Sequence, residues 1–309
     1  MRAGYVAVIG RANAGKSTLI NVMVGEKVAI VSPKPQTTRD RILGVLTKED
    51  YQIVFVDTPG IYKASTALSE MMMKTTETTG RDVDVILFVT DGHKGISEED
   101  IALMSRYQSY GVPMLVAYTK TDIMPEENIP GDIVKIVNGG IESDIFPVSA
   151  RKGKNIAKLE KALVALLPEG DKIFEQDIIS DKSERFMISE IMREKILLKY
   201  DKEIPHGIAV VVERFAKRET GNLYDIDLAI VCEKPNHKAI LIGKQGQALK
   251  EATSFARKDM EKFLDAKVFL SVFVKVKEDW RDKPELIREY GYADLLKELQ
   301  EQERKKSKK

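Results

Sequence analysis

The stretch Gly10-Arg-Ala-Asn-Ala-Gly15-Lys16-Ser17 follows the β-branched run Tyr5–Ile9 and opens the amphipathic run Lys16–Val24. It fits G-x-x-x-x-G-K-[ST] without a mismatch, in the strand–loop–helix context that identifies a phosphate-binding loop. A random match is expected in roughly one chain per hundred of this length. The loop narrows the choice of fold, because its glycines must let successive backbone N–H groups and a helix N-terminus converge on negative charge. Lys16 is placed to reach the β- and γ-phosphates, and Ser17 to ligate Mg²⁺. Gly10, Asn13, Ala14, Gly15 and Thr18 complete the expected nucleotide contacts of this loop.

Up to about Leu167, short β-branched runs alternate with helical periodicity. Tyr5–Ile9, Ile42–Leu46, Ile53–Val56, Val83–Val89, Met114–Ala117 and Ile145–Pro147 read as strands. Lys16–Val24, Ala67–Gly80, Ser97–Tyr110, Pro130–Val137 and Lys154–Leu167 read as helices. Such alternation predicts an α/β fold with a mainly parallel sheet between helices over residues 1–168. Residues 169–182 are polar and aperiodic and read as a linker. A second pattern then begins: helix Glu184–Tyr200, strands Ile208–Phe215 and Leu223–Cys232, helix Asn236–Ile242, a longer helix to Leu264, and strand Lys267–Val276. In the longer helix Leu249, Ala252, Phe255, Ala256, Met260 and Phe263 recur at helical spacing. This α-β-β-α-α-β order predicts a small α+β domain over 183–292, followed by a basic solvated tail, 293–309.

Two further loops bear on the nucleotide. Asp57-Thr58-Pro59-Gly60 ends a strand; an Asp there can hold Mg²⁺ through water, and the Gly60 N–H can meet a γ-phosphate. After "PMLVAY" comes Thr119-Lys120-Thr121-Asp122. A carboxylate such as Asp122 accepts from N1–H and the N2 amine of guanine, whereas adenine would leave it unpaired; such mismatches cost several kcal/mol. Lys120 would lie along the base, and Ser149-Ala150 would turn a backbone N–H toward O6. All these loops fall at the strand C-terminal edge, where open α/β sheets bind ligands.

In this order the motifs GxxxxGKS, DTPG, [N/T]KxD and SA resemble those of translation-factor-like GTPases. "KPQTTRDRI", Lys34–Ile42, narrows the resemblance to the Era-type GTPases. There it forms the first switch, with a Thr on Mg²⁺ and the γ-phosphate: Thr38 aligns best and Thr37 is the fallback. The resemblance runs from Tyr5 to about Tyr292. It implies Ser17, Thr38 and Asp57 as metal ligands, with Lys16, Thr38, Gly60 and Asn13 serving hydrolysis. Asn13 in such proteins helps bind K⁺, which stands where an arginine finger would put its charge; simple loop capping is the competing role. Two departures stand out. Thr119 replaces an Asn that bonds N7 of the purine and braces the phosphate loop, and Ile61 occupies the place of a water-orienting Gln.

A second glycine pair, Gly243-Lys244-Gln245-Gly246, joins two helical patterns rather than a strand and a helix. The spacing alone proves little, since Gly92-His-Lys-Gly95 has it too. In its α-β-β-α-α-β setting it resembles the GXXG loop of a type II KH domain, the module that follows the GTPase in Era-type proteins. That loop clamps single-stranded RNA by its backbone. Ile240, Ile242, Gly243, Lys244, Gln245 and Gly246 are the expected RNA contacts; Lys234, Lys238, Lys250, Arg257 and Lys258 flank them as cations, each read first as an ordinary solvated side chain and only second as a phosphate contact.

Net charge is +1 over 309 residues, so any nucleic-acid footprint is local. Cys232 is the sole cysteine and reads as a small buried residue at a strand end; with three scattered histidines it forms no zinc-spaced cluster. The apolar runs are too short to span a bilayer, and no signal-peptide pattern opens the sequence, which predicts a cytoplasmic protein. The expected activity is GTP hydrolysis coupled to RNA binding. The resemblance implies GTP/GDP and Mg²⁺ as ligands, the 3′ end of 16S ribosomal RNA and the 30S subunit as partners, a monomer, no DNA, and peripheral association with the cell membrane. Two rival readings stand beside it: a GTP-dependent protein- or membrane-interaction switch whose KH-like domain binds no RNA, and an ATPase of similar loop design.

Overall fold

The computed structural model describes residues 1–61, 65–201 and 204–292, so the basic tail read at 293–309 lies outside the described residues. The chain divides into two compact units. The first comprises Met1–Val31, Thr38–Ala64 and Met72–Asp181; the second comprises Ser32–Thr37, Ser65–Met71 and Lys182–Lys309.

In the first unit β1 (Arg2–Ile9), β2 (Ile42–Thr47), β3 (Tyr51–Asp57), β4 (Val85–Asp91), β5 (Met114–Thr119) and β6 (Asp144–Pro147) form one sheet, ordered β2-β3-β1-β4-β5-β6. Only β2 runs antiparallel, against β3. Helices α1 (Lys16–Val24), α2 (Ala67–Thr79), α3 (Glu98–Gln108), α4 (Asn128–Asn138) and α5 (Ile156–Leu166) connect the strands, part of α2 counting with the second unit. Strand alternation decides which helices cover which face. Val6 and Val8 point with Phe55 and Leu87 into a core shared with Leu19, Ile20 and Met23 of α1 and Leu159 and Leu163 of α5. Ala7 and Ile9 point the other way, with Phe88 and Val116, against Met104 and Tyr107 of α3 and Ile136 of α4. Each of these large apolar side chains, removed from water, contributes about 1.5–3 kcal/mol. With both faces covered, ligands are left the strand ends.

Residues 169–181, read from the sequence as linker, are grouped with this unit. Gly170 N–H donates to Met1 O at 2.9 Å, the N–H groups of Ile173 and Phe174 donate to Gln52 Oε1, and Val45 N–H donates to Ile179 O at 2.9 Å.

In the second unit β7 (Ile208–Lys217), β8 (Leu223–Cys232) and β9 (Lys267–Val276) form a sheet in that order. β7–β8 is antiparallel and β8–β9 parallel. Helices α6 (Glu184–Lys199), α7 (Pro235–Ile242) and α8 (Gln247–Leu264) bury Ile188, Ile191, Leu241, Ala252, Ala256 and Met260 against its one face. Phe255, at the edge of the α8 stripe beside Ala256, is 54% exposed. Cys232 is fully buried at the end of β8. Arg193 of α6 is buried, paired with Glu190, and donates to the carbonyls of Gln36 and Thr37, residues of the same unit. Trp280, in a short turn before α9 (Pro284–Glu289), is fully buried and donates from its indole N–H to Gly207 O at 3.0 Å. Among the described residues no helix is long and apolar enough to cross a membrane.

Candidate functional site

The phosphate loop leaves β1 at Ile9, and α1 begins at Lys16, so the N–H groups of the first helical turn face the C-terminal edge of the sheet. Lys16 is buried, with Nζ 3.0 Å from Gly10 O and 3.1 Å from Arg11 O. Burial pulls its ammonium down to about 8, a drop the Asp57 charge partly opposes. Asp57, at the end of β3, is fully buried. One of its oxygens, Oδ2, accepts from Ser17 Oγ at 2.8 Å and Thr38 Oγ1 at 3.1 Å, and the two hydroxyls lie 3.0 Å apart. The other oxygen, Oδ1, is buried without a hydrogen-bond partner. Burial raises the carboxyl, while Lys16, Ser17 and Thr38 pull against that rise. Two hydroxyls converging on a half-satisfied buried carboxylate form a hard oxygen donor set of the kind Mg²⁺ takes. The residues present therefore fit the metal.

Thr37, the fallback, stands elsewhere: its hydroxyl donates to Lys34 O at 2.6 Å and lies 2.8 Å from Ser32 Oγ. The Asp57–Gly60 segment is pinned by Thr58 Oγ1 donating to Val8 O at 2.9 Å and Thr76 Oγ1 donating to Pro59 O at 3.1 Å. Ile61 N–H then donates to Gly10 O at 3.1 Å, laying this segment along the phosphate loop. Gly60 is needed there, because a Cβ would come within 2.7 Å of Ala12 Cα and 3.1 Å of Lys16 Nζ.

A cavity of about 150 Å³ is lined by Gly15, Thr18, Thr119, Lys120, Asp122 and Ala150, with Ile123 and Arg151 beside them. Its carboxylate, Asp122, accepts from Ser149 Oγ at 2.7 Å, a bond that holds the carboxyl below the ordinary aspartate range. The Ser149 N–H donates to Lys154 O at 3.2 Å. That amide is therefore spent locally, and of the expected Ser149-Ala150 pair it is Ala150 that lines the cavity. Thr119 Oγ1 lies 2.6 Å from Ala14 O and 2.9 Å from Thr90 O. Lys120, in the left-handed region (φ 61°), sends Nζ to Asn13 O at 2.8 Å and Asp91 Oδ2 at 2.6 Å. Sequence reasoning missed Asp91, Ile123 and Arg151. The signal for Asp91 was available, since it is the acidic end of a buried strand beside the loop cluster.

In the second unit α7 ends at Ile242 and α8 starts at Gln247, so Gly243–Gly246 forms the turn between two helices. Gly243 has φ 71°, and a Cβ there would meet Ala248 Cβ at 2.5 Å; Gly246 has φ 76° and open space around it. Lys244 and Gln245 are exposed, and Ile240 is half exposed. Ile242, expected to face a bound strand, instead packs in part against the core. Lys234, Lys238, Lys250 and Lys258 are exposed, while Arg257 pairs with Glu261 at 3.0 Å. Gly92–Lys94 is a tight turn in the first unit, capped by Asp91.

Comparison with known proteins agrees with both halves. Residues 5–120 match the family model described as a 50S ribosome-binding GTPase, and residues 203–281 match a KH domain. The curated protein GTPase Era of Clostridium kluyveri is 44% identical over 292 residues, covering 94% of this chain and 99% of its own. GTPase Era of Caldanaerobacter subterraneus is 44% identical, covering 94% and 98%. Among solved structures, a single-residue variant of Aquifex aeolicus Era bound to GDP and AlF₄⁻ superposes with a TM-score of 0.90 at 38% identity, covering 94% of this chain and 99% of that one. Era in complex with MgGDPNP and nucleotides 1506–1542 of 16S ribosomal RNA gives the same values. Identity of this extent along nearly the whole of both chains, carried by a GTPase unit followed by a KH unit, means that the chain belongs to the Era family of GTPases.

Proposed function

We propose that the chain is a GTP-hydrolysing switch whose KH domain binds the single-stranded 3′ end of 16S ribosomal RNA during maturation of the 30S subunit. The observation that carries this reading is the convergence of Ser17 and Thr38 on half-satisfied Asp57, beside a cavity whose carboxylate suits guanine, in a chain that also carries an exposed Gly243–Gly246 turn.

Ser17, Thr38 and Asp57 would hold Mg²⁺, which supplies positive charge beside the β- and γ-phosphates. Lys16 is positioned to neutralise charge that grows on the same oxygens in the transition state. The Gly60 N–H would meet the γ-phosphate, a role supported by the pairing of its neighbour Ile61 with the loop. No Gln stands at position 61, so intrinsic turnover is slow. Asn13 assists by helping to bind K⁺; faster hydrolysis in KCl than in NaCl at equal ionic strength is expected, and equal rates would remove that role. Loss of the γ-phosphate releases Thr38 and the Asp57–Gly60 segment, and through them nucleotide state sets RNA affinity. Equal RNA affinities with GDP and a GTP analogue would refute that coupling.

The protein acts in the cytoplasm as a monomer, with peripheral association at the inner face of the cell membrane; sedimentation and vesicle flotation test these two points. The deciding experiment for the function is crosslinking and sequencing of RNA bound to the GTP-loaded protein. Enrichment of the 16S 3′ end is expected. RNA recovery unchanged by disruption of Gly243–Gly246 would favour a switch that binds no RNA through this domain.

A further inference from the structure

We infer that this chain holds guanine nucleotides without reading N7 of the base, discriminating on the O6, N1 and N2 edge alone. The inference rests on the guanine reading of the cavity above.

Purine N7 is a bare lone pair, so only a donor can read it. The Asn usual at position 119 carries two amide protons, enough for one to brace the phosphate loop and one to reach N7. Thr119 carries a single hydroxyl proton. Its Oγ1 is buried, with Ala14 O at 2.6 Å and Thr90 O at 2.9 Å. Whichever carbonyl takes the proton, the hydroxyl has only lone pairs left to show a ligand, and a lone pair facing N7 repels it. Giving the proton to N7 would instead take it from both carbonyls inside a buried strand end. Bracing and reading thus compete for one proton at this position, and the geometry assigns it to bracing: Thr119 ties β5 to the loop residue Ala14 and to β4.

Neighbouring Lys120 does not compensate. Its ammonium is drawn to Asn13 O and to the Asp91 carboxylate, 2.8 and 2.6 Å away, on the loop and at the end of β4. Asp122 is an acceptor, held ionised by Ser149, and serves the N1–N2 edge. Substitution of Thr for Asn has therefore kept the mechanical half of the residue's task and removed the recognition half.

The test is competition of GTP and 7-deaza-GTP against a fluorescent GDP on the full chain, with ATP as a third competitor. For the unaltered protein the two guanine nucleotides are expected to bind within about twofold of each other. Thr119→Asn is expected to favour GTP over 7-deaza-GTP by roughly fivefold, the worth of one neutral hydrogen bond. Thr119→Val, which removes the brace, is expected to weaken both nucleotides equally. A fivefold or larger 7-deaza penalty in the unaltered protein overturns the inference, as does a Thr119→Val variant that loses affinity for GTP alone. Preference for ATP over GTP would refute the guanine reading itself, an outcome the same plate distinguishes.

Discussion

Ser17 Oγ donates to Asp57 Oδ2 at 2.8 Å, joining the first turn of α1 to the end of β3 forty residues on. Ser17→Ala removes the hydroxyl proposed to meet Mg²⁺ and leaves Asp57 with less of its hydrogen-bonding. GTP affinity in this variant should become nearly independent of Mg²⁺, while the parent loses on the order of tenfold or more when the metal is chelated. Nucleotide titrations with Mg²⁺ and with EDTA check this.

Gly60→Ala places a methyl group 2.7 Å from Ala12 Cα and 3.1 Å from Lys16 Nζ. Either the segment shifts away from the loop or the lysine moves. The expected result is a drop in GTP hydrolysis of roughly tenfold to a hundredfold, the scale on which an ångström of misplacement acts. GDP binding should change little if Gly60 meets the γ-phosphate, as proposed.

At Asp122 both specificity and pH behaviour follow from one hydrogen bond. Asp122→Asn replaces an acceptor by an amide, so GTP affinity should fall by roughly a hundredfold or more while a xanthine nucleotide gains. The Ser149 hydroxyl depresses the carboxyl below its ordinary value. A depressed acid stays ionised as pH falls, so this group leaves GTP affinity flat from pH 8 down through pH 5. Removing the donor in Ser149→Ala moves the loss of affinity to higher pH, which binding curves across that range would show.

For the KH loop the two glycines make unequal tests. Gly243→Asp collides with Ala248 as well as adding charge, so it also lowers stability. Gly246→Asp meets open space, and only its φ of 76° is unfavourable. Gly246→Asp should therefore weaken RNA binding by roughly tenfold or more at low salt, through like-charge repulsion, with basal GTP hydrolysis unchanged. Filter binding across a salt series measures it.

Trp280 is the sole tryptophan and is fully buried, packed against Tyr290 and Tyr292 with its indole N–H bonded to Gly207 O. Trp280→Ala should cost the second unit about 3–5 kcal/mol. Urea unfolding followed by circular dichroism reads this, since the native fluorophore is lost in the variant.

Much of this was legible because the phosphate loop, DTPG and TKxD are contiguous, and each sits where a strand's alternation gives way to a turn. α1, β8 and β9 begin and end where periodicity places them, bounded by glycine, a hairpin turn and charged residues. What stayed hidden depends on pairs remote in the chain. Nothing local tells that Lys120 will meet Asp91, or that Arg193 will be buried among the carbonyls of Gln36 and Thr37. Phe255 keeps the helical spacing yet stays exposed: such spacing marks a stripe about 100° wide, and its edge residues go inward only if a neighbour covers them. Thr119 was visible as a departure, but only the two carbonyls around it show which half of the Asn role survives.

The opposed shifts of Lys16 and Asp57 carry one more consequence. Burial penalises both ions, each in the direction of its neutral form, and the two relieve each other only in part. Phosphate oxygens favour the lysine's proton, and a divalent cation favours the carboxylate's loss of one. A phosphate and a divalent cation held here would therefore relieve both burial penalties at once, acting as a structural counter-ion pair for the sheet edge.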